Sequence, residues 1–140
     1  MAYVHPDKYN SDFTEYHHKR VSEKQTLMDI DAVQFKILPD GTERMRLVEY
    51  KHRSESLRPM QKAVLDRFSM YFKVLNEKAV KTEFEVYVIK ANFSKINDQI
   101  ILDGNVEIIN LITEETKIIN NEEEFILFLE FKIDWSELYG

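Results

Sequence analysis

The dipeptide Asp40-Gly41 constrains the fold of this chain more than any other feature of its sequence. Asp-Gly between two β-prone runs is a strong signal for a tight hairpin turn, because glycine adopts positive φ angles at little cost. Residues 26–37 (TLMDIDAVQFKI) before it and residues 45–51 (MRLVEYK) after it both have strand-like patterning. The sequence therefore predicts two antiparallel strands that are joined at this turn.

A helix and two further strands are predicted after the hairpin. Pro59 suits the first turn of a helix, and apolar residues recur at three- and four-residue spacing from there to about Lys78, which is typical of an amphipathic helix. Residues 84–91 (FEVYVIKA) and 105–112 (NVEIINLI) have the composition of strands. The strand–helix–strand step allows a right-handed parallel crossover between the second and third strands.

Helices are also expected near both ends of the sequence. Residues 9–21 carry apolar side chains at helical spacing. Asn121 is suited to cap a last helix, whose acidic first turn at residues 122–124 would interact favourably with the helix dipole. The predicted fold class is therefore α/β, a mixed β-sheet flanked by α-helices. The length of 140 residues favours a single domain over residues 1–140.

Composition narrows the classes of function. Cysteine is absent, which excludes disulfides, zinc thiolates and thiol nucleophiles. No apolar run approaches the roughly 18 residues that cross a membrane, and the first residues lack the apolar segment of a secretory signal, so we expect a cytoplasmic protein without a membrane partner. Residues 1–97 carry a net charge of +3 and residues 98–140 a net charge of −9. Either the first part faces a polyanion, or the acidic part is an ordinary solvated surface.

Charged residues gather on both strands of the predicted hairpin. Asp29 and Asp31 are two residues apart in the first strand, and Glu49 and Lys51 are two residues apart in the second, so each pair lies on one face. The antiparallel register predicts Asp31 opposite Glu49, and Asp29 opposite Lys51. Facing carboxylates repel each other unless a positive charge lies between them. The alternative is an exposed cross-strand ion pair, which contributes less than about 1 kcal/mol.

A hard divalent cation is the usual occupant of such a carboxylate cluster. Mg²⁺ takes one or two protein carboxylates and completes its shell with water and phosphate oxygens. It acts as a Lewis acid and lowers the pKa of water. Together with a lysine that steadies the attacking water, the cluster predicts metal-assisted hydrolysis of phosphodiesters, with Mg²⁺ or Mn²⁺ as the cofactor.

The arrangement Asp31…Glu49-Tyr50-Lys51 resembles the motif of the PD-(D/E)xK nuclease superfamily, although no proline precedes the aspartate. Residues 57–68 (LRPMQKAVLDRF) resemble the segment after Glu-x-Lys in its VRR-NUC and Holliday-junction-resolvase-like branches. In those branches a glutamine opens the next helix and supports the site, and Gln61 matches it. The resemblance covers about residues 12–92, and the last third of the chain loosely resembles small phage-type members.

The resemblance implies a restriction-endonuclease-like core and a set of site residues. The implied metal ligands are Asp31, Glu49, Glu15 from the first helix, and Asp29 as a rival of Asp31. Lys51 would position or activate water, and Gln61 would orient the site. Catalysis is thus assigned to Asp31, Glu49, Lys51 and Gln61.

Basic residues surround the candidate site in the sequence. The set is Arg44, Arg46, His52, Arg53, Arg58, Lys62 and Arg67. Their functional interpretation is phosphate contact, which gives affinity without base specificity, and the alternative is ordinary surface charge. The predicted function is a metal-dependent DNA endonuclease, structure-selective by resemblance and located in the cytoplasm of a bacterial host. The small size favours a homodimer, or recognition of nucleic-acid structure, as the source of specificity.

Two other classes of function are compatible with the sequence. The chain is alternatively a nuclease-like scaffold without catalysis, a phage- or mobile-element-encoded binding or inhibitor protein that uses its acidic last third as a docking surface. It is also compatible with a nucleic-acid-binding subunit that is active only with a partner. The intact Glu49 and Lys51 favour the enzyme, because a pure binding protein does not need this cluster.

Overall fold

A computed structural model of the protein describes residues 30–78 and 81–139, together with Tyr16, Lys19, Arg20 and Met28. Those first three residues are helical, as predicted for residues 9–21, and the rest of that prediction lies outside the described residues. The strands are β1 (Ala32–Ile37), β2 (Glu43–Lys51), β3 (Thr82–Ile96), β4 (Gln99–Asn110) and β5 (Glu115–Ile119). The helices are α1 (Pro59–Glu77) and α2 (Glu122–Leu129), followed by a short 3₁₀ turn (Trp135–Glu137).

The strands form one mixed sheet in the order β1-β2-β3-β4-β5. β2 and β3 are parallel and are connected through α1, while every other neighbouring pair is antiparallel. The α/β prediction and the parallel crossover are therefore confirmed. β5 and the 3₁₀ turn were not anticipated. None of the described helices is both long and apolar enough to cross a membrane.

The predicted hairpin is formed by β1 and β2. Gly41 has a φ of 86°, and the Asp40 carboxylate accepts a hydrogen bond from the Thr42 backbone N–H at 2.9 Å. Such a positive φ is the reason that glycine occupies this position. The paired residues begin with Ala32 opposite Val48, which is the predicted register.

β1 is shorter than the predicted strand over residues 26–37. It begins at Ala32, and the described Met28 and Ile30 lie outside it. The Asp31 carboxylate accepts a hydrogen bond from the Tyr50 N–H at 2.8 Å. Residue 30 lies opposite Tyr50 in this register. The Asp31 side chain therefore accepts the hydrogen bond from the Tyr50 N–H that a backbone carbonyl would accept if the strand pairing continued.

α1 covers one face of the sheet, but not with the expected apolar stripe. Its buried residues are Gln61, Leu65 and Ser69, whereas Phe68 and Tyr71 are exposed. The helical spacing predicted Phe68, Tyr71 and Phe72 as core residues; Phe72 packs against the core, and the prediction is wrong for Phe68 and Tyr71. Leu65 and Phe72 pack against the sheet on this inward face, and the Gln61 amide on the same face reaches Glu49. The Ser69 hydroxyl bonds the Leu65 carbonyl of its own helix at 2.8 Å.

The two faces of the sheet carry separate cores, because successive residues of a strand alternate between faces. On the α1 face, Leu47 of β2 packs with Leu65 of α1 and with Val86 and Val88 of β3. On the opposite face the core is larger and aromatic. Its main members are Val48, Tyr87, Ile89, Ile108, Phe125, Phe128 and Trp135. Odd-numbered residues of β2 therefore face α1, and even-numbered ones face α2.

β3 and β4 are both longer than predicted and form a projecting hairpin. Their pairing continues to Ile96 and Gln99, across a two-residue turn at Asn97-Asp98 whose φ angles are 50° and 62°. Asn and Asp tolerate this left-handed conformation better than other non-glycine residues. Residues 92–103 are called the arm below.

Candidate functional site

The structure brings four of the predicted site residues to one end of the α1 face. Asp31 immediately precedes β1, opposite Glu49 in the extrapolated register. Lys51 is two residues further along β2, on the same face as Glu49. Gln61 lies in the first turn of α1, directly above this strand end.

Glu49 is the central group of the site because it is buried and incompletely paired. The residue is 4 % exposed, and its Oε1 atom accepts a hydrogen bond of 3.4 Å from Gln61 Nε2. Its Oε2 atom is buried without a hydrogen-bond partner in the described part of the chain. Leaving a buried carboxylate oxygen unpaired costs free energy, so an isolated Glu49 strongly favours its protonated form.

The pKa of Glu49 reflects this environment. Burial, followed by the negative charge of Asp31, raises the pKa of Glu49 from 4.5 to about 7, and the positive charge of Lys51 acts in the opposite direction. Near neutral pH the carboxyl group therefore exchanges its proton readily. A group of this kind gives up its proton when a positive charge binds next to it.

Both polar atoms of the Gln61 side-chain amide form hydrogen bonds. Its Oε1 atom accepts a hydrogen bond of 3.1 Å from the Arg58 backbone N–H, which caps the start of α1, and its Nε2 atom then points at Glu49. The residue is 7 % exposed. The same glutamine thus begins the helix and fixes the Glu49 carboxylate, as the predicted supporting role requires.

Lys51 is half-buried at the end of β2 and forms no ion pair with any described residue. In the parallel register it lies beside Lys90 of β3, whose ammonium is 3.7 Å from Glu107. Lys51 thus keeps a charge that acts on Glu49 without being neutralised by a close partner. Such a lysine is available to an anionic ligand.

The basic residues predicted to contact phosphate differ in their surroundings. Arg44 and Arg46 are 6 % and 0 % exposed on the opposite face of the sheet, so the phosphate interpretation is wrong for both. Their even-numbered positions in β2 direct them towards α2. Arg53 is held in the sheet by bonds of 2.9 Å to Asn105 and 3.5 Å to Glu107.

The remaining basic side chains flank the candidate site and are exposed. His52 follows Lys51 and lies 3.9 Å from Glu55. Arg58 precedes α1, and Lys62 follows Gln61 and forms an exposed ion pair of 2.8 Å with Asp66. Exposed pairs of this kind are weak, so they do not prevent contact with a phosphate.

The donor set was compared with the needs of a divalent cation. Glu15 and Asp29 lie outside the described residues. Within the described residues, no group of three or more His, Cys, Asp or Glu side chains is positioned to hold a metal. Two carboxylates, Asp31 and Glu49, are adjacent, and Glu49 has an unpaired oxygen. Mg²⁺ needs only one or two protein carboxylates, so this donor set fits it.

A second buried charged cluster escaped sequence reasoning. Arg46 donates to Glu85 Oε2 at 2.8 Å, and Arg44 donates to Glu85 Oε1 at 2.6 Å. The sequence signal was the arginine pair at alternate positions of an otherwise apolar strand, together with a glutamate in the neighbouring strand.

In comparisons with protein families, with curated proteins and with solved structures, the chain has no significant match.

Proposed function

We propose that this protein is a metal-dependent nuclease that hydrolyses phosphodiester bonds in DNA on a restriction-endonuclease-like core. The observation that carries the proposal is the buried Glu49 carboxylate, which faces Asp31 and has one oxygen without a hydrogen-bond partner among the described residues. A carboxylate that serves only the fold is normally fully hydrogen-bonded. An unpaired carboxylate oxygen beside a second carboxylate and a lysine is the arrangement expected of a cation site.

The topology supports the same proposal. An antiparallel pair that carries Asp31 and Glu49 is followed by a helix and a parallel strand, which is the order of the family that the sequence resembles. Gln61 opens that helix and bonds Glu49, which suits the supporting role that the resemblance implies. The positions of Asp31, Glu49 and Gln61 therefore support the proposal.

Each residue has a distinct role in the proposal. Asp31 and Glu49 would hold Mg²⁺ or Mn²⁺. A bound cation supplies Lewis acidity and lowers the pKa of water. Gln61 keeps Glu49 oriented, and the ammonium of Lys51 holds the attacking water or the developing charge on the phosphate. The exposed His52, Arg58 and Lys62 neutralise the flanking phosphates.

The test is cleavage of labelled single-stranded, duplex, forked and four-way DNA, and of RNA, with Mg²⁺, Mn²⁺ or EDTA. We expect cutting that requires the cation and that falls at least about a hundredfold in Lys51→Ala and in Glu49→Gln. Lys73→Ala, which removes an exposed lysine of α1, is the matched control and keeps full activity. Cutting that persists in EDTA, or in Glu49→Gln, contradicts the proposal.

A non-catalytic binding protein is the second candidate, and the net charge of −9 over residues 98–140 favours it. An acidic surface of this kind suits a basic protein partner or mimics DNA. Thermal unfolding separates the two functions without a substrate. A nuclease is stabilised by Mn²⁺ and loses this stabilisation in Glu49→Gln, whereas Mn²⁺ does not change the stability of a binding scaffold in either protein.

A further inference from the structure

The arm, residues 92–103, extends beyond the neighbouring strands of the sheet. The pairing of β2 with β3 ends where Lys51 meets Lys90, and the pairing of β5 with β4 ends at Val106. Among the described strands, the two halves of the arm thus pair only with each other. A two-stranded hairpin is marginally stable in water, so its protrusion needs a compensating contact.

The arm exposes large apolar side chains on both of its faces. Ile100 is 74 % exposed, Ile96 53 %, Phe93 45 % and Ile101 39 %. Phe93 and Ile100 lie on the face towards α2, and Ile96 and Ile101 lie on the opposite face, so each face of the arm carries an exposed apolar surface. Such a surface marks a site of association.

An apolar groove of about 320 Å³ lies between one face of the arm and α2. Phe93, Ile100 and Leu102 form its arm side, and Ile126 belongs to its α2 side. Tyr50 and core residues form its floor. The arm thus forms one wall of this apolar groove, and Ile100, near the tip of the arm, remains exposed.

A positive and a negative side chain lie at opposite ends of the groove. Lys95 pairs with Ile100 in the arm, so it lies on the groove side near the tip. Glu122 lines the groove at the start of α2. Neither side chain forms an ion pair or a side-chain hydrogen bond with another described residue. Both charges are therefore available to a partner.

We propose that the occupant of the groove is a second copy of this chain. A two-fold axis beside the arm lets the tip of each arm enter the groove of the other, because an isologous interface needs one self-complementary surface. Ile100 would then pack near the partner's Ile126, and Lys95 would lie against the partner's Glu122. The apolar centre with a charged rim is the usual anatomy of such an interface. The proposal does not depend on nuclease activity.

The test is sedimentation equilibrium of the full chain over a wide range of concentrations. We expect a dimer, with dissociation at least about tenfold easier in Ile100→Glu and in Ile126→Glu. Both side chains are well exposed, so these variants fold, and circular dichroism verifies it. Met70→Glu, which alters an exposed apolar residue of α1, is the matched control and keeps the dimer.

Charge reversal tests the orientation of the two copies. Lys95→Glu and Glu122→Lys each weaken the dimer, and the double variant restores it, because the reversed charges meet across the axis. A chain that stays monomeric at every concentration overturns the proposal, as does a dimer indifferent to Ile100→Glu. Failure of the double variant to restore the dimer overturns the placement of Lys95 against the partner's Glu122.

Discussion

Arg46 and Glu49 are both buried charges of β2, three residues apart on opposite faces of the sheet. Arg46 is 0 % exposed, and its Nε and Nη1 atoms donate to Glu85 at 2.8 Å and to the Phe128 carbonyl at 2.5 Å. Its guanidinium also lies 3.9 Å from the ring centre of Phe131. Glu49 is 4 % exposed, and its carboxylate has one hydrogen bond, of 3.4 Å, to a side chain in the described part of the molecule. Arg46 Nη2, like Glu49 Oε2, has no hydrogen-bond partner among the described residues, but the guanidinium is bonded to an opposite charge whereas Glu49 is bonded only to a neutral amide. Equal burial thus comes with unequal charge compensation.

The Arg46 cluster has the properties of a structural element. Burial and the charge of Glu85 raise the pKa of Tyr87, so its hydroxyl stays protonated and donates to Glu85 at 2.9 Å. Arg44 binds Glu85 and also Asp134 at 2.6 Å, which ties the sheet to the segment after α2. Charges that are buried together with their partners hold these elements in one arrangement.

The Glu49 site has the opposite property, because binding of a proton or a cation lowers its free energy. Protonation, or a bound cation, relieves the unpaired oxygen and the repulsion from Asp31. The comparison teaches that burial alone does not separate structural charges from functional ones. What separates them is whether the protein itself supplies an opposite charge within hydrogen-bond distance.

The largest expected effect is on the structural side. Arg46→Met leaves the Glu85 carboxylate and the Phe128 carbonyl short of a donor, and we expect a loss of about 3–5 kcal/mol in the free energy of unfolding. Urea unfolding measures it, with the exposed Arg67→Met as the control. A loss below about 1 kcal/mol would mean that the Arg46 cluster contributes little to stability. The contrast between Arg46 as a structural charge and Glu49 as a functional one would then no longer hold.

Glu49→Gln is expected to have the opposite sign. The pKa of Glu49 is 4.5 in the unfolded reference and about 7 in the folded protein, so the folded state binds more protons between these values. Wild-type stability therefore falls as the pH rises from about 4.5 to about 7. We expect Glu49→Gln to be about 2–3 kcal/mol more stable than the wild type at pH 8 and equal to it at pH 4.

Urea unfolding at both pH values measures this difference. Glu77→Gln, on the exposed side of α1, is the matched control and shows no such pH dependence. Destabilisation by Glu49→Gln at pH 8 would show that the carboxylate is compensated as well as Arg46 is, and the distinction between the two faces would be lost.

Mn²⁺ is expected to stabilise the wild type by about 1.4 kcal/mol at ten times its dissociation constant. The effect is larger at pH 8 than at pH 5.5, because the cation competes with the proton of Glu49. Thermal unfolding with Mn²⁺, and again after EDTA, measures it. An identical shift in Glu49→Gln would place the cation elsewhere.

The sequence predicted the Glu49 site better than the Arg46 cluster for a physical reason. Asp40-Gly41 fixes the hairpin turn, and strand alternation then fixes which residues face each other. The partner of Arg46, in contrast, is Glu85, a residue 39 positions away whose approach depends on the crossover. No local spacing encodes that distance, so the arginine was interpreted as a phosphate contact or a surface charge.

The arm and the orientation of α1 were missed for related reasons. The turn at Asn97-Asp98 lacks glycine, so the strands on either side of it were ended too early. The periodicity of α1 identified a helix, but its inward face also carries the polar Gln61, whose partner Glu49 lies in β2. β5 (Glu115–Ile119) is a short edge strand, and its sequence carries little signal of its own.

The smallest expected effects concern the two neighbours of Glu49. Asp31→Asn removes a negative charge, so the pKa of Glu49 falls, and Lys51→Ala removes a positive charge, so the pKa of Glu49 rises. Each shift is expected to be below about one unit, or less than about 1.4 kcal/mol. Carbon-13 NMR of the glutamate carboxyl groups across a pH titration measures both, with Asp40→Asn as the control. Opposite signs mean that the site responds to charge, as a cation site must. Equal or absent shifts mean that burial alone sets the pKa of Glu49. Glu49 would then be a buried carboxyl group without a charged partner, and the argument that it binds a cation would fail.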